Sequence, residues 1–289
     1  MLGAAWIAER AVIPAIVASR NGALVAIASR DPEKARRIVA DQPAVKVLES
    51  YEAVLADPDV EAVYVPLVNN LHREWTLKSF AAGKHVLCEK PLGMNAHEAV
   101  EMAAGASASG KHLMEAFMYR FHPRIRALVE SIRDPTYVHA TFGFPLDDSS
   151  NYRLRPEFGG GALLDVGCYT VSVARWILGE PTTVLARTRD AGGVDMTVSA
   201  LLEFQGGRTA SVWASFESPE EQALTVVMRD RVARLEKPFS AWRDPDDPYQ
   251  LMIESFADSV MLDRPLAIPL SESIANMEVL DRIKEAAGR

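Results

Sequence analysis

Three short stretches of this sequence carry residue types whose spacing could do chemistry. Cys88-Glu89-Lys90-Pro91 puts an ammonium at the end of the apolar run HVLCE (85–89), and Pro91 stops that run. A lysine at the tip of a buried strand can act as an acid or base, although it can also simply snorkel to water. Asp165 and Tyr169 lie four residues apart behind Gly159-Gly160-Gly161, so a helix starting there shows both on one face. Their plainer reading is an ordinary structural hydrogen-bonding pair. At the start of the chain, Gly3-Ala4-Ala5-Trp6-Ile7-Ala8 follows the pattern G-x-G-x-x-G/A with Ala5 in place of the second glycine. Such a turn opens a helix whose N–H groups and dipole suit a pyrophosphate. The methyl group of Ala5 crowds that approach without forbidding it.

The cofactor subtype is readable from the tip of the next apolar run. A strand carrying Asp or Glu at its end suits the ribose hydroxyls of NAD. Here the tip reads Ser29-Arg30-Asp31, and Asp31 before Pro32 is best used as a helix N-cap. That leaves a hydroxyl and a guanidinium, which suit a ribose 2′-phosphate, so NADP is expected over NAD.

The elements that must position these groups fall into two rhythms. ALVAIAS (23–29), VKVL (45–48), VEAVYVPL (60–67), HVLCE (85–89) and HLMEAF (112–117) read as buried strands alternating with helices. Asn95 is a further N-cap candidate, and Gly22, Gly83 and Gly110 fall where left-handed C-terminal residues belong. The alternation predicts a doubly wound parallel sheet over residues 1–119. Residues 120–289 differ, with a helix at 123–132 and another over 162–179. TTVLARTR, DMTVSALLEF, RTASVWASF, ALTVVMRD and RVARLE then follow one another as strands, predicting an open, mainly antiparallel sheet. Helices at about 249–262 and 271–287 close the chain, and WRDPDDP (242–248) is its most loop-like stretch.

Composition narrows the class. The 289 residues are 48% hydrophobic and 24% charged with net charge −8, which describes a globular protein with a sizeable core and no basic face for nucleic acid. No run approaches a membrane span, and no secretory pattern opens the chain. Cys88 and Cys168 sit among apolar or small residues, as reduced thiols of a cytoplasmic protein do. The six histidines form no metal-binding spacing.

Read together, VYVPLVNNLHREWTLKSFAAGKHVLCEKPLGMNAHEA, MEAFMYRFHPR and GGGALLDVGCYTVSVARWILGEP closely resemble the Gfo/Idh/MocA oxidoreductases. Within that family they look most like the dihydrodiol dehydrogenase and NADP-linked xylose dehydrogenase branch. The resemblance implies a Rossmann domain followed by an α+β domain whose open sheet builds a homo-oligomer. It makes Lys90 a catalytic lysine, with Glu89 beside it in the cofactor site. Asp165 and Tyr169 become catalytic and substrate-binding residues, with Tyr169 or Lys90 as the acid/base. Gly3, Ala4, Ala5, Trp6, Ile7, Ser29 and Arg30 are expected at the dinucleotide. Pro66, Asn69 and His72 match the P-x-x-N-x-x-H segment that borders the nicotinamide ribose, with Val68 where a second proline is usual. Arg120 and His122 of YRFHP either touch a sugar, polyol or diol or serve packing and capping.

Two departures from that family pattern bear on competence. Only Met1 and Leu2 precede Gly3, where a central strand is expected. Losing such a strand exposes two edges and forfeits roughly 1.5–3 kcal/mol for each buried apolar side chain. Either a segment lies upstream, other residues fill the gap, or the nucleotide half is impaired. After RVARLEKPF the chain also passes quickly to its closing helices, shortening the second domain. A non-catalytic sensor, regulator or assembly protein is therefore the alternative expectation.

Overall fold

The computed structural model describes residues 1–241 and 243–288, so Trp242 of the loop-like 242–248 stretch lies outside the described residues. The chain forms two compact units. The first holds most of the chain up to Phe121 together with a later stretch ending at Ser273. The second holds His122–Ala241, Ile274 onward and the short piece Gly93–Ala96. The helix Pro248–Leu262 thus belongs to the first unit, although the change of rhythm in the sequence falls near residue 120.

In the first unit the strands β1 (Ala26–Ala28), β2 (Lys46–Leu48), β3 (Ala62–Val65), β4 (His85–Cys88) and β5 (Leu113–Glu115) are all parallel. Between them run α1 (Ile13–Ala18), α2 (Pro32–Ile38), α3 (Tyr51–Ala56), α4 (His72–Ala81) and α5 (Ala96–Ser109). Caps follow the sequence closely. Asp31 accepts from Lys34 N at 3.0 Å and Ser50 from Ala53 N at 3.0 Å. The helix N–H of Ala96, beside the candidate cap Asn95, donates to Asp281 at 2.8 Å. Gly83 and Gly110 have φ of +74° and +64°, as C-terminal left-handed residues do. Gly22 does not adopt positive φ. A side chain there would crowd Ser19 Oγ at 2.8 Å, so its smallness serves close packing instead.

The helix that the glycine turn opens is irregular, because Ala8–Val12 is a π turn leading into α1. The parallel sheet itself comes in two pieces, β1–β2 and β3–β4–β5. They are joined by a parallel bridge at Leu2 to Ala28. Leu2 N donates to Tyr64 O at 3.0 Å, Gly3 N to Ala28 O at 2.8 Å and Ala28 N to Met1 O at 3.1 Å. The Met1 amino group donates to Ala26 O at 2.7 Å. Three residues, Met1, Leu2 and Gly3, therefore do the joining that a full strand was expected to do. A later helix, α8 (Pro248–Leu262), is tied to the C-terminal end of α1: Asn21 donates to Glu254 O at 3.0 Å and Gln250 to Ala18 O at 3.2 Å.

The second unit contains α6 (Pro123–Ser131), β6 (Pro135–Gly143) and α7 (Cys168–Leu178), then strands β7 (Pro181–Ala191), β8 (Val194–Phe204), β9 (Arg208–Ser215), β10 (Glu221–Met228) and β11 (Val232–Glu236). The sheet order is β11-β10-β6-β9-β8-β7, antiparallel except for β6 against β9. α7 lies along β6 and β9, and the last helix is α9 (Leu270–Ala286). Among the described residues, 156–178 is the one stretch long and apolar enough to cross a membrane. It is 89% buried, as the core helix of a folded domain is.

The buried amino terminus gives the fold a pH signature. Burial lowers the Met1 amine from 8.0 to about 5, and burial likewise pushes His85 down to about 4 and His72 downward. Each group is neutral in the fold and protonates in the unfolded chain, so stability is lost as pH falls. For the amine the window runs from about pH 8 to pH 5, and a three-unit shift corresponds to roughly 4 kcal/mol. We expect the melting temperature to fall steadily across that window. N-terminal acetylation should flatten the slope; an unchanged slope in the acetylated chain would show that the amine is not its source.

Candidate active site

In the first unit the strand tips at the carboxyl edge carry the chemistry-bearing residues, with the glycine turn between them. Gly3 has φ of +118°, a conformation in which a side chain is strained. A Cβ there would meet Leu67 Cδ2 at 3.1 Å, the Tyr51 hydroxyl at 3.6 Å and Pro66 at 4.0 Å. The turn is therefore pressed against the tip of β3, which brings Gly3 and Pro66 together as expected. Ala4 is buried, Ala5 and Ile7 are half-buried, and Trp6 is 68% exposed. Ala5 O accepts from Glu9 N at 3.2 Å, so the alanine at the second glycine position is part of a regular helix start.

At the tip of β1, Ser29 Oγ accepts from Asp31 N at 3.1 Å, and Arg30 is exposed. Its charge is felt by Tyr51, whose pKa burial raises and Arg30 opposes. Tyr51, which carries no motif signal in the sequence, thus links the Arg30 guanidinium to the glycine turn. Its ring is fixed edge-on against Trp75 at 4.8 Å.

The tip of β4 is held from several sides. Glu89 is buried, accepts from the Tyr64 hydroxyl at 2.5 Å and receives the Lys90 backbone N–H at 3.2 Å. Lys90 is half-buried and precedes a cis peptide to Pro91. Leu92 N donates to the buried Glu115 at 2.9 Å. His72 is fully buried, with Nδ1 2.9 Å from Pro91 O and Nε2 2.9 Å from Leu67 O. Burial lowers its pKa and the nearby Lys90 charge adds to this, so the ring is neutral and straps the β3 tip to the Lys90 turn. The ring has no exposed surface, and its contacts are to the backbone it ties. Asn69, in the 3₁₀ turn before α4, is also buried.

In the second unit, Asp165 and Tyr169 share one helical segment, as the spacing predicts. Its first turn, Leu163–Gly167, is π-helical before α7 begins. Arg153 Nε donates to Asp165 Oδ2 at 2.7 Å, and the guanidinium covers the Tyr152 ring at 4.7 Å. Burial, the largest single influence, would push Arg153 down; Asp165, Tyr152 and Tyr169 together outweigh it, so the net direction is up. Arg153 and Asp165 are therefore an ion pair beside Tyr169 in which the carboxylate is buried and the guanidinium partly exposed. The Tyr169 ring packs against Phe142 and Phe239, each at 5.5 Å. Sequence reasoning missed Arg153, and twelve residues of separation from Asp165 give no periodic signal that could have found it.

The glycine run explains how this helix starts. Gly160 and Gly161 donate to Arg155 O at 3.1 Å and Arg153 O at 2.9 Å. A side chain on Gly160 would collide with the Arg153 carbonyl, and one on Gly161 (φ +112°) with the Asp195 carboxylate. Asp195, also missed, accepts from Leu163 N at 2.6 Å and caps the helix across the sheet. Arg120 and His122 have structural roles: Arg120 pairs with Glu272 at 2.7 Å, and His122 caps α6 by accepting from Arg124 N at 3.1 Å.

Against known protein families, residues 1–117 match the model described as "Oxidoreductase family, NAD-binding Rossmann fold" and residues 123–233 match the GFO/IDH/MocA C-terminal domain. The chain is 38% identical to D-xylose 1-dehydrogenase (NADP(+)) 2 of Haloferax volcanii, covering 99% of this chain and 96% of that one. It is 40% identical to trans-1,2-dihydrobenzene-1,2-diol dehydrogenase of Xenopus laevis over 65% of this chain and 59% of that protein. Among solved structures it is similar to KijD10, a 3-ketoreductase of Actinomadura kijaniata in complex with NADP and TDP-benzene. That likeness has a TM-score of 0.85 and 28% identity, covering 99% of this chain and 96% of that one.

Two substitutions test the geometry. Gly161→Ala combines positive φ with a clash against Asp195, and we expect it to destabilise by roughly 2 kcal/mol or more in denaturant unfolding. Arg153→Met removes the guanidinium that pairs with the buried Asp165 carboxylate, expected to cost about 1–3 kcal/mol because the arginine is partly exposed. Adding Asp165→Asn should recover much of that loss; strictly additive losses would show that the pair is not coupled.

Proposed function

Since the chain belongs to the Gfo/Idh/MocA oxidoreductase family, we propose that it is an NADP-dependent dehydrogenase or reductase acting on a sugar, polyol or cyclic diol. The observation that carries the reading is the retention of both chemical centres with their supports. Lys90 stands on a braced strand tip, and Asp165 and Tyr169 stand on a glycine-started helix with Arg153 pinned to the aspartate. The names of the xylose dehydrogenase and dihydrodiol dehydrogenase relatives support the substrate class.

The residues at the first site fit a 2′-phosphorylated dinucleotide. Gly3 gives the turn its close approach, the helix start offers backbone N–H groups, and exposed Arg30 offers a bidentate cation at the β1 tip. Ser29, Ala4, Ala5, Trp6, Ile7, Pro66 and Asn69 complete the nucleotide-facing set in this reading. When bound, the nicotinamide accepts or gives the hydride at the substrate carbon. The chain's own task is the proton. Tyr169 or Lys90 takes it from the substrate hydroxyl during oxidation and returns it during reduction. Asp165, held by Arg153, orients the neighbouring hydroxyl groups.

The same reading makes the protein a homo-oligomer built through its open sheet, which the exposed Leu185, Leu201 and Val232 support. A cytoplasmic location is supported by the two buried free thiols, Cys88 and Cys168.

Titration with NADPH and NADH, followed by protein fluorescence, is the direct test. We expect NADPH to bind more tightly, and Arg30→Ala to lose that preference by about 10-fold or more, since a charged contact is worth roughly 1.5–3 kcal/mol. In a screen of sugars and diols, Lys90→Met and Tyr169→Phe should each lower kcat by ~10²-fold or more. A folded chain that binds neither nucleotide would favour the non-catalytic alternative.

A further inference from the structure

The end of α1 is tied to α8 through one asparagine. Asn21 Nδ2 donates to Glu254 O at 3.0 Å and to Asp258 Oδ1 at 2.8 Å. Both partners are acceptors, so the position needs N–H groups, and an oxygen in their place is repelled. Arg20 alongside pairs with Glu254 and Asp258. Among the described residues nothing donates to Asn21 Oδ1, which is buried.

The next residue is equally constrained. Gly22 packs so closely that a Cβ there would stand 2.8 Å from Ser19 Oγ and 3.4 Å from Ile253. Its N–H donates to Ser19 Oγ at 3.1 Å, and that hydroxyl donates to Ile16 O at 2.7 Å. Tie and packing together therefore dictate Asn followed by Gly, in the irregular stretch between α1 and β1. It is the one Asn-Gly in the sequence. A glycine has no side chain to keep its nitrogen off the preceding amide carbon, so the pair is chemically labile wherever the backbone can bend.

We propose that Asn21 is a site of spontaneous deamidation, held in check by Ser19, and that its conversion unlatches α1 from α8. Gly22 N bonds to Asn21 Cγ, the Cγ–Nδ2 bond breaks, and Nδ2 leaves as ammonia with the proton from Gly22 N. Water then opens the resulting imide. Attack at Cγ gives aspartate; attack at the Asn21 backbone carbonyl gives isoaspartate, with the chain rerouted through Cβ. Either product removes both donors and adds a carboxylate at the tie, beside those of Glu254 and Asp258. The first step needs Gly22 N to leave Ser19 and Nδ2 to leave α8, so its rate follows local opening of the latch.

Incubation of the 289-residue chain in mildly alkaline buffer, followed by peptide mass mapping, is the test. Asn21 should be the first asparagine to take on the mass of amide-to-acid exchange. It should convert about tenfold to a hundredfold more slowly than in the acetylated, amidated peptide Ser-Arg-Asn-Gly-Ala-Leu, because the latch must open first. Ser19→Ala should speed conversion in the folded chain by about fivefold, as loss of one hydrogen bond does. Asn21→Asp should lower the melting temperature by roughly 4 °C or more. Conversion as fast as in the peptide overturns the proposal, since the segment is then not held. So do equal rates in the original and Ser19→Ala chains, or no conversion in the latter over about a hundred peptide half-lives. An unchanged melting temperature for Asn21→Asp overturns the latch. Should that variant fail to fold, Asn21→Ala removes the donors without adding charge. A fall of roughly 2 °C or more is then expected, and no fall overturns the latch. None of these readouts requires nucleotide or substrate, so the result stands apart from the proposed activity.

Discussion

Four hydrogen bonds through Met1, Leu2 and Gly3 are the constraint on which the first unit depends. They join β1 to β3, and each of those strands carries at its tip a residue the nucleotide reading requires. A parallel sheet presents ligands with its carboxyl edge, and the edge is only as well defined as the register of its strands. Here that register is set by the three residues Met1, Leu2 and Gly3. The helix α8 compensates from outside the local sequence, since its bonds to Ala18 and Asn21 clamp the end of α1 over the interrupted sheet. This is why a helix from late in the chain belongs to the early unit.

Beyond these three residues, the first unit relies on buried polar ties rather than on longer strands. His72 spans two loop carbonyls, Glu89 takes the Tyr64 hydroxyl, and Glu115 takes the backbone of Leu92. Each tie ends at or beside the Lys90–Pro91 turn. The consequence is a lysine whose backbone is overdetermined while its side chain stays half-exposed. That division suits a group that must be placed accurately and still meet a ligand.

Much of this was readable in the sequence, for identifiable reasons. Continuous apolar runs gave the parallel strands, and Asp31 before Pro32 gave a cap, because both signals are local. The E-K-P and D-x-G-x-Y stretches gave Lys90, Asp165 and Tyr169, because motif residues keep fixed neighbours. What stayed hidden depends on distance along the chain. Arg153 meets Asp165 through a turn made of 3₁₀ segments, and Asp195 reaches Gly161 and Leu163 from a strand 32 residues beyond Leu163. Tyr51 reaches the glycine turn from another helix. Gly22 looked like a C-terminal left-handed residue and proved to be a packing position, since a side chain there would meet Ser19 and Ile253, contacts that periodicity does not encode.

The pairing of Arg153 with Asp165 also bears on whether the second unit does chemistry. Two charges withdrawn from water gain little net stability, and a well-packed apolar pair of the same volume is often as good or better. The site shows the elaborate form instead: an ion pair on a buried carboxylate, a π turn at the helix start, and two successive glycines, Gly160 and Gly161, that let the chain pass Arg153, Arg155 and Asp195. π turns and strained glycines concentrate where a side chain must be aimed rather than merely packed. The other helix that begins with a π turn, Ala8–Val12, is the one behind the nucleotide turn. Both irregular starts thus lie next to residues we propose for ligand contact, while α4 to α6, α8 and α9 begin without one. A domain kept only as scaffold would gain from regular starts and an apolar core at these places. Their absence is the structural argument for a working site.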